Sequence, residues 1–314
     1  MKHAADTLVK PSTSFVELVK DRLKEILSSQ GSIKEILVYI QQTNGKMIRP
    51  TLVKLMFDLC GGEDQSVVLD VASGIELIHM ASLIHDDIVD QSDTRRTFLT
   101  VQKRFGVSAA VLSGDYLFAK AFNLLAVHNL EQVMAVMTEV ITQMCSGEIQ
   151  QLLDPVVSEA DYWNYIYQKT ACLIEAACRV GALIAEVQDV RSIDLASKFG
   201  LALGYAYQLI DDLLDYSADQ ERIGKPIGND FMRGIWTLPI IRGVDQGVIT
   251  PNWREELSFA QARKLLDQHG IFVEIKKEVE FYVQQARTLL LAFPDKPARQ
   301  HLLKLAEFIG RRSY

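Results

Sequence analysis

The stretch ELIHMASLIHDDIVDQSDTRR (residues 76–96) runs from an apolar pattern into four aspartates within eight positions, then into two adjacent arginines. Acids and bases this dense after Leu83 and Ile84 fit two readings. One is an ordinary helix rising out of a core into water. The other is a site for a ligand that needs metal and cations together, such as a diphosphate. The same acidic pattern returns in YQLIDDLLDY (207–216). Forty acidic residues in 314 give roughly 0.6 acid-acid-x-x-acid triplets by chance, so one copy decides little. The surroundings of each copy decide more.

Asp86, Asp87 and Asp90 follow ELIHMASLIH, and Asp211, Asp212 and Asp215 follow LALGYAYQLI. Both triplets close long apolar helical patterns. Residues four apart in a helix share a face, so Asp86 with Asp90, and Asp211 with Asp215, each present two carboxylates in one direction. Such carboxylates facing one another across a helical bundle repel unless a cation sits between them. Magnesium suits that position, being a hard ion with oxygen ligands that is commonly shared with substrate phosphates. The plainer alternative is two solvated helix ends.

The rest of the chain is helical in pattern. FVELVKDRLKEIL (15–27) and FVEIKKEVEFYVQQARTLLLAF (272–293) repeat apolar residues at three- and four-residue spacing. The few prolines mostly punctuate, and no stretch offers alternating β-branched strands joined by hairpin dipeptides. The expectation is an all-α protein of ten or more helices. Those over 65–91, 107–127, 130–152 and 192–217 read as apolar around their circumference and therefore central. The amphipathic helices near both ends read as peripheral.

A net charge of −7 argues against non-specific nucleic-acid binding, so an anionic ligand needs locally placed cations. Several candidates exist. Arg95 and Arg96 follow the first triplet, and NGKMIRP (44–50) offers Lys46 and Arg49 beside a glycine and a helix-breaking proline. Lys169 stands next to Thr170, and IGKPIGND (223–230) adds Lys225 and Asp230. Arginine forks and lysine point charges hold phosphate oxygens. Taken singly, each is more often a solvated surface residue; beside paired acids they point to two diphosphates, one on metal and one on side chains. Cys60, Cys145, Cys172 and Cys178 show no metal-binding spacing and read as small reduced core residues of a cytoplasmic protein. The N-terminus has no apolar stretch suited to a signal peptide. AAVLSGDYLFAKAFNLLAV (109–127) comes nearest to a membrane span, and Asp115 and Lys120 interrupt it.

In order along the chain, GKMIRP, ELIHMASLIHDDIVDQSDTRR, GEIQQL (147–152), KTA (169–171), YQLIDDLLD and GKPIGND resemble the motifs of the trans-isoprenyl diphosphate synthases, the polyprenyl synthetases. The resemblance runs from about residue 40 to the C-terminus and implies one domain over 1–314, with residues 1–40 less well matched. It implies a bundle of mostly antiparallel helices around a deep central cavity, with the two acidic motifs facing each other at its mouth. By position, Asp86, Asp90 and Asp211, with Asp87, Asp212 and Asp215 beside them, would hold three magnesium ions on an allylic diphosphate. Arg95, Lys169, Thr170, Gln208 and Lys225 would bind the same diphosphate. Lys46, Arg49, His79 and Arg96 would hold that of isopentenyl diphosphate. The plainer reading of His79 is a satisfied core histidine; His85 reads as structural or as a support behind the neighbouring acids, and Trp163, Trp236 and Trp253 as packing. The implied reaction is departure of the allylic diphosphate, attack by the homoallylic double bond, and loss of a proton.

Two departures from the family pattern stand out. Ile235, in GIWTLP, replaces a lysine common at that place, and Tyr207 replaces the usual phenylalanine. Absence of that lysine also resembles the catalytic component of two-component medium-chain synthases, so a homodimer or a heterodimer with a small subunit is implied, with peripheral membrane contact for product release. Ala81 and Ser82, five and four residues before Asp86, are small, whereas bulky aromatics at this level stop growth in short-chain members. A growing chain would then pass towards Ile78, Ile75 and Gly74, about one isoprene unit per turn of about 5.4 Å. The implied product is hexaprenyl to heptaprenyl diphosphate, for menaquinone or other quinone side chains and made from farnesyl diphosphate. Geranylgeranyl and octaprenyl products, or a non-catalytic subunit, are the alternatives. A terpene cyclase shares the fold and the first motif but not DDLLD as its second site.

Overall fold

Asp64 starts a long apolar helix, its carboxylate accepting hydrogen bonds from the N–H groups of Ser66 and Val67. That cap satisfies donors left unpaired in a first helical turn. This is a computed structural model; it describes residues 10–42, 45–95, 98–154, 156–185, 189–216 and 227–310, with side chains from residue 14 onward. Arg96 and Lys225 lie outside the described residues. The regular structure of the described residues is almost wholly helical, as the sequence pattern leads one to expect, and they cluster into two compact units.

The first unit comprises residues 1–141, 176–197 and 293–302. Its elements begin with α1 (Lys10–Ile26), α2 (Ile33–Gln42), α3 (Ile48–Leu59) and α4 (Gln65–Val89). A two-residue antiparallel pair follows, β1 (Thr94–Arg95) with β2 (Phe98–Leu99), then α5 (Val101–Phe105), α6 (Val107–Ala126) and the first half of α7 (Glu131–Leu153). Helix α4 is the core of this unit. Val71, Ala72, Ile75, Leu77, Ile78 and Ala81 on it are fully buried, and each large aliphatic among them stabilises the fold by about 1.5–3 kcal/mol. Glycines let α6 lie close along it. A methyl built on Gly114 would stand 2.2 Å from His85 Nε2, and one on Gly74 would stand 3.3 Å from Leu125 Cδ2. The buried Asp70 of α4 takes Arg22 of α1 at 2.8 Å and His128 at 2.7 Å, which offsets the cost of burying its charge.

The second unit comprises residues 142–175, 198–292 and 303–314. It holds the rest of α7, α8 (Glu159–Ile166), a π-helical turn (Tyr167–Ala171), the start of α9 (Cys172–Leu183) and most of α10 (Val190–Asp215). The short helices α11 (Asn229–Arg233), α12 (Leu238–Asp245) and α13 (Trp253–Glu256) follow, then α14 (Phe259–Gln268), α15 (Ile271–Leu290) and the end of α16 (Pro297–Gly310). Leu209, Leu213, Phe231, Ile240, Trp253 and Ile275 anchor its core. Arg242 of α12 hydrogen-bonds Glu159 of α8 and Glu278 of α15, tying three helices together. Burial alone would lower the Arg242 pKa, but the two carboxylates outweigh it and raise it.

Four expectations need correcting. Helices α6 and α7 are not enclosed all round: Val107, Val111 and Leu112 on one, and Ile149, Leu152 and Leu153 on the other, are exposed. Pro50 does not break a helix. It sits in the first turn of α3, where its missing N–H has no intrahelical partner to lose. Cys145 is exposed rather than core, on the outer side of α7, and Cys60 is only partly buried; all four cysteines are free thiols. Finally, among the described residues the helix long and apolar enough to cross a membrane is α4, not 109–127, and most of its apolar window is buried inside the protein.

Candidate active site

In the first unit the acids stand at the C-terminal end of α4. Asp86 and Asp90 are half-buried and four residues apart, as the spacing requires, and Asp90 closes the helix as its C-cap. Asp87 points the other way. It is buried, and Arg95 Nε donates to its Oδ1 at 2.8 Å. Burial raises the Asp87 pKa, and Arg95 acts against that rise. The β1–β2 pair delivers Arg95 to this acid. Its approach is fixed by Thr100 Oγ1 and Gln102 Nε2, which donate to Ser92 O at 2.7 and 3.0 Å. Among the sequence candidates, His79, Asp87 and Arg95 line one small cavity of about 50 Å³ together with Glu76. A larger cleft of about 360 Å³ lies elsewhere in this unit, beside Arg22, Asp70 and Lys120; Asp70, its one buried acid, is already paired as described above.

Arg49, in the first turn of α3, brings Nη1 to 3.1 Å from His79 Nε2. A guanidinium can only donate, so Nε2 is the accepting atom in this contact. Lys46 stands exposed just ahead of this helix. His85 packs between helices: its Nε2 lies 3.1 Å from Val111 O and its ring packs on Phe118. Ala81 and Ile78 are fully buried, while Ser82 is half-buried with its hydroxyl on His79 O at 2.9 Å.

The second unit repeats this arrangement on α10. Asp211 and Asp215 are half-buried, and Asp212 is buried. Asp215 caps α11, accepting from the N–H groups of Asn229 and Asp230 at 3.0 Å each. Asp212 accepts from Tyr162 Oη at 2.7 Å and from Gln208 Nε2 at 2.7 Å. Gln208 Oε1 in turn accepts from Thr170 Oγ1 at 2.6 Å. Burial and the nearby Asp230 charge push the Asp212 pKa up to about 8, against the pull of the Tyr162 and Gln208 hydrogen bonds. Burial also lifts that of Tyr162 far above its ordinary value.

Thr170 and Lys169 belong to the π turn, a feature that recurs at functional sites. Two glycines hold it. A methyl on Gly204 of α10 would fall 2.7 Å from Ala171 Cα, and one on Gly147 of α7 would fall 2.8 Å from Gln168 Cβ. Lys169 Nζ donates to Glu148 Oε1 at 2.6 Å. Sequence reasoning missed Glu148 and Tyr162 as members of this cluster. GEIQQL carried the signal for the first; nothing in the pattern singled out the second.

Each half-buried acid pair offers hard oxygen donors one helical turn apart, which fits magnesium. Among the described residues no three histidine, cysteine, aspartate or glutamate side chains form a closed metal cage. Magnesium needs none, since it commonly uses one or two carboxylates with water and substrate phosphates.

The family model described as polyprenyl synthetase matches residues 30–264. Over 304 residues the chain is 35% identical to octaprenyl diphosphate synthase of Escherichia coli, covering 92% of this chain and 93% of that protein. It is 31% identical to heptaprenyl diphosphate synthase component 2 of Bacillus subtilis, covering 95% and 88%. The crystal structure of a polyprenyl synthase from Caulobacter crescentus, complexed with calcium and isoprenyl diphosphate, superposes with a TM-score of 0.89 at 32% identity, covering 98% of each chain.

Proposed function

Because the chain belongs to the polyprenyl synthetase family and is a prenyltransferase, we propose that it condenses isopentenyl diphosphate head-to-tail with an allylic diphosphate, farnesyl diphosphate being the primer. The observation that supports this best is the doubled layout of the acids. Each motif has two accessible carboxylates four residues apart, and a buried one bonded to a side chain suited to a diphosphate.

Asp86, Asp90 and Asp211 would hold three magnesium ions, with Asp215 beside them. When bound, magnesium neutralises charge on the departing diphosphate. Arg95, Lys169, Thr170, Gln208 and Lys225 would donate to that same leaving group. Lys169 and Arg95 each rest on an acid, at 2.6 and 2.8 Å, so their charges are compensated and pre-aimed before substrate arrives. Lys46, Arg49, His79 and Arg96 would hold isopentenyl diphosphate. His79 would stand there beside Arg49, its Nε2 accepting from the guanidinium.

We take the product to be hexaprenyl to heptaprenyl diphosphate, serving quinone side chains. Small residues at 81 and 82 support this reading, as does similarity to a heptaprenyl synthase component; similarity to an octaprenyl synthase is the reason to measure it. A partner subunit, identical or small and separate, would cover the exposed Val107, Val111 and Leu112 of α6, an apolar stripe that costs free energy in water. Incubating the purified chain with magnesium, farnesyl diphosphate and labelled isopentenyl diphosphate, then sizing the products, tests activity, length and independence together. No product from the chain alone, or with candidate partners, would refute the reading.

A further inference from the structure

We propose that Tyr162 is a positioning residue for the allylic diphosphate, holding Gln208 and Thr170 in register through Asp212. This rests on the reading above, in which Thr170 and Gln208 touch that substrate.

Tyr162 lies on α8 with only 1% of its surface exposed, so it cannot meet a ligand itself. A buried tyrosine hydroxyl needs a partner, and mere satisfaction is the plain explanation. That explanation does not account for the partner. Burying a carboxylate is costly, and an apolar pair of similar size fills a core at least as well. Asp212 instead uses one oxygen on Tyr162 and the other on Gln208, both at 2.7 Å. This turns the Gln208 carbonyl towards Thr170, whose hydroxyl donates to it at 2.6 Å. Four side chains from α8, α10 and the π turn thus form one unbroken line. With its amide held at both ends, Gln208 has a single orientation. The line ends beside Lys169, which Glu148 fixes separately. Without the tyrosine hydroxyl, one Asp212 oxygen loses its donor, and the carboxylate is free to rotate and release Gln208.

Tyr162→Phe removes one oxygen and keeps the ring packed on Trp163, whose centroid is 5.6 Å away. The expected result is a rise of about tenfold in the apparent KM for farnesyl diphosphate, the scale of one lost hydrogen bond to a charged group. The KM for isopentenyl diphosphate should stay within about twofold. Calorimetric binding of farnesyl S-thiolodiphosphate with magnesium should weaken in parallel. In a Gln208→Ala background, adding Tyr162→Phe should change the farnesyl KM by less than about twofold, because the line is already cut.

Additive effects, an equal rise in both KM values, or no change in Tyr162→Phe would overturn the proposal. Should Tyr162→Phe fail to melt cooperatively, Asp212→Asn takes its place in the same cycle with the same expectation. If Gln208→Ala and Thr170→Ala both leave the farnesyl KM unchanged, the substrate reading falls and takes this proposal with it. If they raise it and Tyr162→Phe does not, the positioning role alone is wrong.

Discussion

Gly204→Ala tests the seat of the π turn. The added methyl would stand 2.7 Å from both Cα and Cβ of Ala171, whereas carbon atoms in contact settle at about 3.5–4.0 Å. Helix α10 and the turn must therefore separate locally by about 1 Å. The hydroxyl of Thr170 reaches Gln208 at 2.6 Å, and a further 1 Å takes it to about 3.6 Å, beyond a hydrogen bond. Alanine gains about 1 kcal/mol over glycine inside a helix. Overpacking costs about 1–3 kcal/mol and the broken bond about 0.5–1.5 kcal/mol, so the net is a modest destabilisation. Function should suffer more, because misplacing a positioned group by about 1 Å can cost roughly a hundredfold in rate. The assay pairs thermal unfolding with steady-state kinetics, varying the allylic diphosphate. A melting temperature lowered by a few degrees, with a large loss of kcat/KM for that substrate, is expected. Wild-type values for both would show that Gly204 does not seat the turn.

Asp86→Ala and Asp211→Ala should each reduce turnover by several orders of magnitude without loss of folding, since removing clustered negative charge relieves repulsion; near-normal turnover in either refutes the metal assignment. Arg49→Ala and His79→Ala should mainly raise the KM for isopentenyl diphosphate, and Lys169→Ala that for the allylic substrate; the reverse pattern in two-substrate kinetics would exchange the two sites. The Arg242 hydrogen bond holds the Glu159 carboxyl below its ordinary value of 4.5, so this pair stabilises the fold above that pH and the contribution disappears as pH falls through the depressed folded value. Glu159→Gln should therefore lower the urea midpoint at neutral pH and flatten its acid-side slope, and an unaltered slope counts against the pairing. Ala81→Phe should shorten the main product to farnesyl or geranylgeranyl diphosphate. Ala81 has no exposed surface, so a phenylalanine that merely overpacks would instead lower stability by about 1–3 kcal/mol and leave product length alone.

Much of this is legible from sequence because it is periodic. The apolar spacing places α4, α6, α7 and α10 to within about two residues of their observed ends. Asp64 and Ser258, ordinary capping residues, start helices where the pattern begins. The i, i+4 rule puts Asp86 with Asp90 and Asp211 with Asp215. What periodicity cannot carry is direction and irregularity. The outer faces of α6 and α7 also carry large apolar residues, Leu112 and Leu153 among them, so their apolar pattern alone overstates how far these helices are enclosed. The π turn at Tyr167–Ala171 changes the helical repeat for one turn, and its only trace in the sequence is two glycines, Gly147 and Gly204, on other helices. Glu148 and Tyr162 gain meaning only through partners distant in sequence, Lys169 and Asp212.

The middle acid of each triplet is the residue that sequence spacing leaves unexplained. If the motif served metal alone, two carboxylates a turn apart would suffice, and a third at the next position would face about 100° away. Both units put that third carboxylate to the same use. Asp87 is buried and fixes Arg95; Asp212 is buried and fixes Gln208. In both, the side chain so held is a donor suited to a phosphate oxygen, and in both, burial raises the pKa of the acid. A donor held by a buried acid loses little freedom on meeting its ligand, which lowers the cost of ordering the site around a flexible diphosphate. On the proposed reading the double aspartate would combine two functions in adjacent residues: the first acid would serve the ion, and the second, buried, holds the cation or amide beside it. Asp87→Asn and Asp212→Asn should accordingly loosen substrate binding more than metal binding, the opposite of what changes at Asp86 and Asp211 should do.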